Sequence, residues 1–367
     1  MISVIPLWIL AILSFFMAFI IAYLAIPLIH YAAWINGLFA GINDRTSHTH
    51  QIPLFGGVAI FTAFILTTIT IGESYFDPKF GYIIAGLIII FIAGIKDDLT
   101  VSKPKKKLLG QILVTIYISV LADIRISNLH DFLKIGDIPW ILSIVLTMFV
   151  LIVIINGFNL IDGIDGLASG EGILISLVLG LWFYVTGNFN YTIVSFALAG
   201  SLIAFFYFNV FSKKCKLFLG DAGSLIVGLI LGIMVIRFLQ LEPYVKGIAV
   251  IKSTPAFAIS LFIVPLFDTF RVFTIRILQG KSPFSADRQH IHHRLLELGL
   301  NHLQSTLILL FFNLTLIIIC YLLQDIGTLF LVGILLGLSV LLTQILLNLV
   351  RKRMSRDTKL NRPLLLS

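Results

Sequence analysis

The chain has 367 residues, of which 59% are apolar and only 12% are charged. This composition, with a mean hydropathy of +1.05, excludes a water-soluble globule, because too few polar residues remain to cover the surface of a protein of this size. The net charge of +8 does not indicate a nucleic-acid partner, since the basic residues lie in the segments between apolar runs and report membrane topology instead.

Eleven apolar runs are long enough to cross about 30 Å of hydrocarbon. They begin near residues 5, 55, 81, 108, 140, 166, 191, 222, 254, 306 and 327, and the second to fourth are short. We therefore predict an all-α integral membrane protein with about 11 transmembrane helices. Residues 1–350 would form a single polytopic membrane domain, followed by a basic cytoplasmic tail over residues 351–367.

The basic residues predict the orientation of these spans. Twenty of the 26 Lys and Arg residues lie in the tail or in the segments that follow odd-numbered runs. The positive-inside rule then predicts an outside N-terminus and a cytoplasmic C-terminus. The cytoplasmic loops would cover residues 30–54, 96–107, 156–165, 212–221 and 278–305. Five acidic residues would therefore face the cytoplasm, and these are Asp97, Asp98, Asp162, Asp165 and Asp221.

The first two cytoplasmic loops carry polar side chains beside apolar runs. Residues 44–57 are polar and close with a Gly-Gly pair, which suits either an ordinary connecting loop or a turn that approaches a ligand. Asp97 and Asp98 end the third run. Adjacent side chains on a helix point about 100° apart, so these two acids are expected to have different roles. The lysines over residues 103–107 are explained equally by topology.

The next two loops hold the densest polar motifs. Asn156, Asn159, Asp162 and Asp165 follow one another at intervals of three residues. If the segment is helical, these four side chains share one face, and this is hard to explain by packing. Asp221 lies in the sequence Gly-Asp-Ala-Gly-Ser at a predicted helix start, where a simple N-cap is the alternative explanation.

The last long loop contains Arg288, His290, His292 and His293. Zinc is one interpretation, but no Cys or Glu residue is spaced to complete four tetrahedral ligands. Imidazole and guanidinium groups instead form a donor-rich surface that suits phosphate oxygens. A solvated basic loop is the remaining alternative.

Acids and bases on one membrane face predict a metal bridged to phosphate. Carboxylates repel an anionic phosphate, whereas Asp and Asn oxygens are ligands that Mg²⁺ prefers, alongside substrate phosphates. Such a site at the surface of an all-helical membrane protein suggests that a water-soluble, phosphate-bearing donor is joined to a lipid-bound acceptor.

The motifs in this order resemble the polyprenyl-phosphate N-acetylhexosamine-1-phosphate transferases over residues 45–299. Residues 282–293 are most similar to the bacterial branch that transfers N-acetylglucosamine 1-phosphate to undecaprenyl phosphate. They are less similar to the branch that transfers phospho-MurNAc-pentapeptide, where three consecutive histidines are usual, because Ile291 interrupts the histidines here. Residues 45–48 are nearer to members that use other UDP-N-acetylated sugars, so the sugar stays open.

The resemblance implies a reaction between a UDP-N-acetylhexosamine and polyprenyl phosphate that releases UMP. This reaction would be the first membrane step of O-antigen, teichoic acid or related cell-surface glycan synthesis. The resemblance also implies Mg²⁺, or Mn²⁺ in its place, as the cofactor, a bacterial inner membrane location, contact with membrane lipids, and a homodimer as one state of the protein.

The resemblance implies residue roles as well. Asp221 and Asn159 would bind the metal; the catalytic residues would be Asp97, Asp98, Asp162 and Asp165; the substrate-binding residues would be Arg45, Ser47, His48, Lys107, Asn156, Arg288, His290, His292 and His293. Asp97 would be either a base or a positioner of the acceptor phosphate. Because a phosphate monoester is mostly dianionic at pH 7, positioning is the more useful role.

Three alternatives stay open after the sequence has been read. The same reaction could use phospho-MurNAc-pentapeptide or a deoxy N-acetyl sugar as the transferred group. The transfer could proceed through a covalent aspartyl-phosphate instead of a single in-line attack. A cation-coupled transporter would also carry acids in membrane helices, although its site is expected near the midplane on broken helices.

Overall fold

The architecture is known from a computed structural model. It describes residues 5–39, 52–72, 75–100, 104–129, 132, 135–241, 245, 247, 250–282 and 289–360, with side chains only as far as Arg353. This part of the chain contains no strand, and its only β contacts are two isolated bridges. The α-helices are α1 (Leu7–Ile35), α2 (Gly56–Gly72), α3 (Phe80–Leu99), α4 (Pro104–Leu121), α5 (Trp140–Ile161), α6 (Leu167–Val185), α7 (Phe189–Val210), α8 (Gly220–Leu241), α9 (Thr254–Leu261), α10 (Ile263–Leu278), α11 (Ile291–Glu297), α12 (His302–Leu322) and α13 (Thr328–Leu360).

The all-α membrane prediction is confirmed. Among the described residues, eight helices are long and apolar enough to cross a membrane, namely α1, α3, α5, α6, α7, α8, α12 and α13. The bent pair of α9 and α10 raises this number to as many as nine. Helix α2 has only 17 residues, and α4 begins with Lys105, Lys106 and Lys107 in its first two turns. The count of eleven spans and the orientation of the chain therefore stay predictions.

Helix α8 lies at the centre of the fold, and 17 of its 22 residues are buried. In lipid, helix association depends on close packing, and small residues let backbones approach. A side chain on Gly57 would overlap the backbone of Gly223, and one on Gly94 would overlap the backbone of Ala222. Glycines of α2 and α3 thus bring both helices against the first turn of α8, where Asp221 lies.

Several predicted loops are helical at their edges. Asp97 and Asp98 belong to the last turn of α3, and Asn156 and Asn159 lie on α5. The tail continues as α13 through Leu360. These polar residues extend the apolar helices because they can face polar groups of other helices at the helix ends. The hydropathy of one segment does not report such contacts between segments.

The break between α9 and α10 bends the chain by 76°. Leu261 is the last residue of α9, and its carbonyl oxygen accepts a hydrogen bond from Asn313 Nδ2 on α12, at 3.2 Å. The same amide nitrogen donates to Glu171 Oε2 on α6, at 2.5 Å. Both side chains are fully buried. This contact fixes the point at which the chain turns towards the histidine segment that follows α10.

Candidate active site

The candidate site forms where α3 and α5 end and α4 and α8 begin. We call this end of the helical bundle the acidic end. Asp98 makes the first connection: its Oδ1 accepts the Asp221 backbone N–H at 2.6 Å, and its Oδ2 accepts the Ala222 N–H at 3.0 Å. A carboxylate at a helix N-terminus satisfies free N–H groups and complements the helix dipole. Asp98 thereby holds the start of α8 in place.

Gly220 completes this arrangement before Asp221. It has a φ of +75°, a conformation that favours glycine. A side chain at this position would also overlap the Leu54 carbonyl and approach the Asp98 carboxylate. The glycine before Asp221 is thus needed for the turn and for the close approach of α3.

Asp221 is the centre of a polar cluster. Its Oδ1 accepts hydrogen bonds from Lys107 Nζ at 2.8 Å and from Asn159 Nδ2 at 2.6 Å. Asn159 also donates to Ser224 Oγ at 2.9 Å, and its own Oδ1 accepts from Lys107 at 3.3 Å. A carboxylate oxygen and an amide oxygen from two helices therefore converge on one cationic group.

Asp97 borders the same cluster. Its Oδ2 lies 4.0 Å from Lys107 Nζ, and its side chain is only 8% exposed, against 32% for Asp221. Lys107 thus lies between two carboxylates of different helices. Asp221 has the more open path to a ligand from the solvent, whereas Asp97 can act only on a group that enters the cleft.

Asn156 lies one turn before Asn159 and pairs with a residue of α4. Its Nδ2 donates to Gln111 Oε1 at 2.7 Å, and Gln111 Nε2 donates back to Asn156 Oδ1 at 3.3 Å. This reciprocal amide pair ties α4 to α5. The predicted substrate-binding role of Asn156 stays a prediction, and its contacts show a structural function next to the cluster.

Asp162 follows the last residue of α5 and is electrostatically coupled to the cluster. Burial raises its pKa well above the ordinary value, and the negative charges of Asp221, Asp98 and Asp165 raise it further. The acidic end therefore holds more negative charge than its cations neutralise. An added cation would lower the cost of ionising Asp162.

Asp165, by contrast, contacts residues outside the cluster around Asp221. Its Oδ2 lies 2.7 Å from Lys216 Nζ and 3.0 Å from His302 Nδ1. Its carbonyl oxygen accepts a hydrogen bond from Thr306 Oγ1 at 2.9 Å. These contacts connect the turn after α5 to the loop before α8 and to the start of α12. They fit a positioning role, while the predicted catalytic role stays a prediction.

The histidine segment reaches this site through His292. A side chain on Gly163 would overlap the His292 imidazole, so the ring lies directly on the turn between Asp162 and Asp165. His292 is buried. Burial and the neighbouring His293 lower its pKa to about 3, so the ring is neutral at pH 7. Neutral His292 can donate or accept one hydrogen bond at each nitrogen but carries no charge for a phosphate.

Asp268 on α10 anchors the start of this segment. Its Oδ2 lies 2.9 Å from His290 Nδ1, and its Oδ1 accepts the Ile291 N–H at 3.1 Å. Arg271 donates to Asp268 Oδ1 at 2.8 Å and to the Gln289 carbonyl oxygen. Asp268 and Arg271 were not among the predicted site residues. Their i,i+3 spacing at the end of an apolar run was the available signal.

Some predicted site residues cannot be placed. Arg45, Ser47, His48 and Arg288 lie outside the described residues. Their roles stay predictions. His293 lies beside His292, with ring centroids 4.3 Å apart.

The oxygen donors around Asp221 fit a hard divalent cation. Within the described part of the chain, no three His, Cys, Asp or Glu side chains form a metal-binding group. Mg²⁺ usually needs only one or two carboxylates and takes water and substrate phosphates as its other ligands. The convergence of Asp221 and Asn159 on one cationic group is consistent with this chemistry. The donor set does not favour a zinc site, which takes three or four protein ligands.

Comparison with known proteins supports the resemblance seen in the sequence. The family model for glycosyl transferase family 4 matches residues 80–239. The undecaprenyl-phosphate alpha-N-acetylglucosaminyl 1-phosphate transferases of Yersinia pestis and Escherichia coli K12 are 29% and 28% identical to the chain, and each match covers 73% of this chain and 72% of the relative. The decaprenyl-phosphate N-acetylglucosaminephosphotransferase of Mycolicibacterium smegmatis is 29% identical over 80% of this chain and 77% of its own.

The matched regions confirm the resemblance on which the sequence analysis relied. Residues 80–239 contain Asp97, Asp98, Lys107, Asn159 and Asp221, which the fold brings to the acidic end. The apolar helices and the bacterial relatives also identify a multi-pass protein of the inner membrane. The chain is thus similar to glycosyl transferase family 4 over residues 80–239 and, over about three quarters of its length, to bacterial polyprenyl-phosphate N-acetylglucosamine-1-phosphate transferases.

Proposed function

We propose that this protein transfers N-acetylhexosamine 1-phosphate, most simply N-acetylglucosamine 1-phosphate, from its UDP-sugar to undecaprenyl phosphate and releases UMP. The product would start a cell-surface glycan such as O-antigen or teichoic acid. The names of the relatives support the class of acceptor and transferred group. The observation that carries the proposal is the convergence of Asp97, Asn159 and Asp221 around Lys107 at one end of a membrane bundle.

The bond changes define what the site must do. An oxygen of the lipid phosphate forms a bond to the sugar-linked phosphorus of the donor, and the bond from that phosphorus to the UMP oxygen breaks. Positioning and charge neutralisation dominate such transfers. The acceptor phosphate is mostly dianionic at pH 7, since its second pKa is about 6, and needs little help from a base.

The side chains of the acidic end suit these tasks. Lys107, whose ammonium lies between Asp97 and Asp221, would bring positive charge to phosphate oxygens that enter the site. Asp97 would orient this lysine and the acceptor. Asp98 would keep Asp221 aligned through its hydrogen bonds to the start of α8. The segment that contains Arg288 and the histidines at 290, 292 and 293 would contact the donor's sugar or diphosphate.

Asp221 and Asn159 would hold Mg²⁺. When bound, the cation would supply charge neutralisation for the donor phosphates and the departing UMP. A bound cation would also stabilise the ionised form of Asp162, whose pKa is raised by burial and by neighbouring acids. Calorimetry with Mg²⁺ alone, with Asp221→Asn as the comparison, tests the site, and equal affinity in the two proteins would argue against Asp221 as a ligand.

The membrane arrangement in this proposal keeps the predicted eleven spans, an outside N-terminus and a cytoplasmic acidic end. A soluble nucleotide sugar would then reach the site from the cytoplasm. Cysteine labelling of intact cells tests the orientation, with one cysteine introduced at Asp137, at the other end of α5, and one at Lys105. Labelling of position 105 but not 137 by a membrane-impermeant reagent would overturn it.

The decisive experiment measures exchange of labelled UMP into UDP-sugars by the purified protein with Mg²⁺ and undecaprenyl phosphate. Exchange should require the lipid, and a panel of UDP-GlcNAc, UDP-GalNAc and UDP-MurNAc-pentapeptide identifies the sugar. Absence of metal-dependent exchange with every sugar would exclude the transferase and leave the transporter alternative. A phosphorylated enzyme trapped with donor alone would replace the single-step mechanism by the covalent one.

A further inference from the structure

A cavity lies at the other end of the bundle from the acidic site. Its volume is about 460 Å³, within the range of about 300–1,000 Å³ that is typical of small-molecule sites. It is lined by Phe80, the first residue of α3, and by Arg237 in the last two turns of α8. Because α3 ends and α8 begins at the acidic site, we call this the opposite end.

One set of charges at this cavity is already paired. Asp123 contacts Arg125 Nε at 2.8 Å and Lys79 Nζ at 3.5 Å. Two basic groups therefore share one acid at the rim. The exposed fractions of the Lys79 and Asp123 side chains, 58% and 48%, show that this pair faces solvent and contributes little to binding.

Two other charged groups of the lining form no ion pair. Within the described part of the chain, no oppositely charged group lies within 4.0 Å of Asp77 or Arg237. The Asp77 carboxylate accepts the Phe80 N–H, at 3.2 Å. The Arg237 guanidinium lies 5.7 Å from the centre of the Tyr191 ring and donates to Gln240 Oε1 at 3.2 Å. Among the residues that the structure describes, the cavity thus presents one negative and one positive group without a counter-ion.

The surroundings of the cavity indicate its depth in the membrane. It lies at the ends of helices that span the hydrocarbon layer, and aromatic side chains gather there. Tyr75 stacks on Phe189 with ring centroids 5.4 Å apart, and Trp140 at the start of α5 is 54% exposed. Aromatic belts mark the level of lipid headgroups. The molecules most concentrated at this cavity are therefore phospholipids.

We propose that the cavity binds the headgroup of a phospholipid that carries both a primary ammonium and a phosphate. The phosphate would contact Arg237, and the ammonium would donate hydrogen bonds to Asp77. A purely anionic headgroup would leave Asp77 facing negative charge. A trimethylated ammonium has no N–H to donate, so choline lipids would bind more weakly.

Native mass spectrometry of the full chain, equilibrated with equal amounts of phosphatidylethanolamine, phosphatidylcholine and phosphatidylglycerol, tests this inference. The wild-type protein should retain phosphatidylethanolamine about fivefold over each competitor, as expected for one ion pair at a partly exposed site. Asp77→Asn and Arg237→Gln should each remove this preference. In Asp77→Asn the amide oxygen would still accept the Phe80 N–H, so the start of α3 should be kept.

A matched control is offered by Lys252, which pairs with Asp325 at 2.5 Å on the same side and is 65% exposed. Lys252→Gln should keep the lipid preference, and Arg237→Lys should keep most of it because the charge remains. Equal retention of the three lipids by the wild-type protein would overturn the proposal. So would a preference that survives both Asp77→Asn and Arg237→Gln. Transferase activity of each variant serves separately as the test of folding, since the cavity lies away from the acidic end.

Discussion

The two ends of the helical bundle treat charge in opposite ways. At the acidic end, the carboxylates of Asp98, Asp165 and Asp221 act electrostatically on Asp162, and Lys107 lies between Asp97 and Asp221. At the opposite end, Asp77, Lys79, Asp123 and Arg237 line the cavity, so acids and bases are equal in number. An excess of negative charge at one end of the bundle destabilises the protein. Such an excess is useful where a cationic ligand supplies the compensating positive charge.

The comparison separates two uses of a carboxylate. Asp221 accepts hydrogen bonds from an amide and an ammonium and is 32% exposed, so a solvent-borne ligand can reach it. Asp77 accepts a backbone N–H at a helix start and faces a cavity whose rim is already paired. The first arrangement suits chemistry on phosphates, and the second suits recognition of a neutral, zwitterionic group.

Asp221→Asn should cause the largest change. The variant keeps the shape of the side chain but removes the charge on which Lys107 and Asn159 converge. We expect the transfer rate to fall roughly 10²–10³-fold, as when one preorganised electrostatic contact is lost. Asp137→Asn, an exposed acid at the opposite end that accepts from Asn128, is the control and should retain wild-type activity. A rate for Asp221→Asn within about threefold of wild type would contradict a central role for this residue.

Asp98→Asn should be the next most damaging change, for a different reason. Asp98 accepts two backbone N–H groups, and an asparagine can accept only one of them with its single carbonyl oxygen. We expect a loss of about 1 kcal/mol of stability, typical of a helix cap, and a roughly 10-fold lower rate, because a small displacement of reacting groups is expensive. Thermal unfolding and activity should fall together. In Asp221→Asn, activity alone should fall.

The buried contact at the α9–α10 break gives a third, smaller effect. Asn313→Leu removes the hydrogen bonds to Glu171 and to the Leu261 carbonyl and leaves buried polar groups unsatisfied, at a cost of about 1–3 kcal/mol. Because α10 carries Asp268, which holds His290, we expect the KM for the donor to rise several-fold with a smaller change in kcat. Glu171→Gln is the matched variant: its carbonyl oxygen can still accept from Asn313, so donor binding should be kept. An equal loss in both variants would show that charge, and not this hydrogen bond, matters at the break.

Part of this division could be predicted from the sequence. Hydropathy predicted an all-α membrane protein, while the three-residue spacing from Asn156 to Asp165 and the separate Gly-Asp-Ala-Gly-Ser motif at Asp221 predicted polar groups at the helix ends. The pairing of side chains could not. Asp97 and Asp98 were expected to have different roles, but only the fold shows that Asp98 meets the start of α8. Asp165 shares the spacing of Asp162 but meets Lys216 and His302, 51 and 137 residues away in the chain. Such contacts depend on how helices cross, which no local pattern specifies.

The same limit explains why the anchors of the histidine segment were missed. Asp268 was visible as an acid at the end of an apolar run, but its partners His290 and Ile291 lie 22 and 23 residues further on. The burial of His292 against Gly163 was also hidden, because histidines in a basic loop are ordinarily exposed. The fold thus packs one ring of the predicted donor-rich surface against the turn after α5.

The buried histidine leads to the smallest predicted effect, on the pH dependence of stability. The pKa of His292 is about 3 in the folded protein and about 6.5 in an unfolded chain. The unfolded state therefore binds the extra proton, and folded stability should fall as pH drops below about 6.5, by up to ~1.4 kcal/mol per pH unit. Asp268, His290, His293 and His302 act on the same ring and are unchanged in a His292→Asn variant. Unfolding of both proteins in detergent between pH 7 and pH 5 should show a shallower decline for the variant, and parallel declines would mean that His292 is protonated without cost.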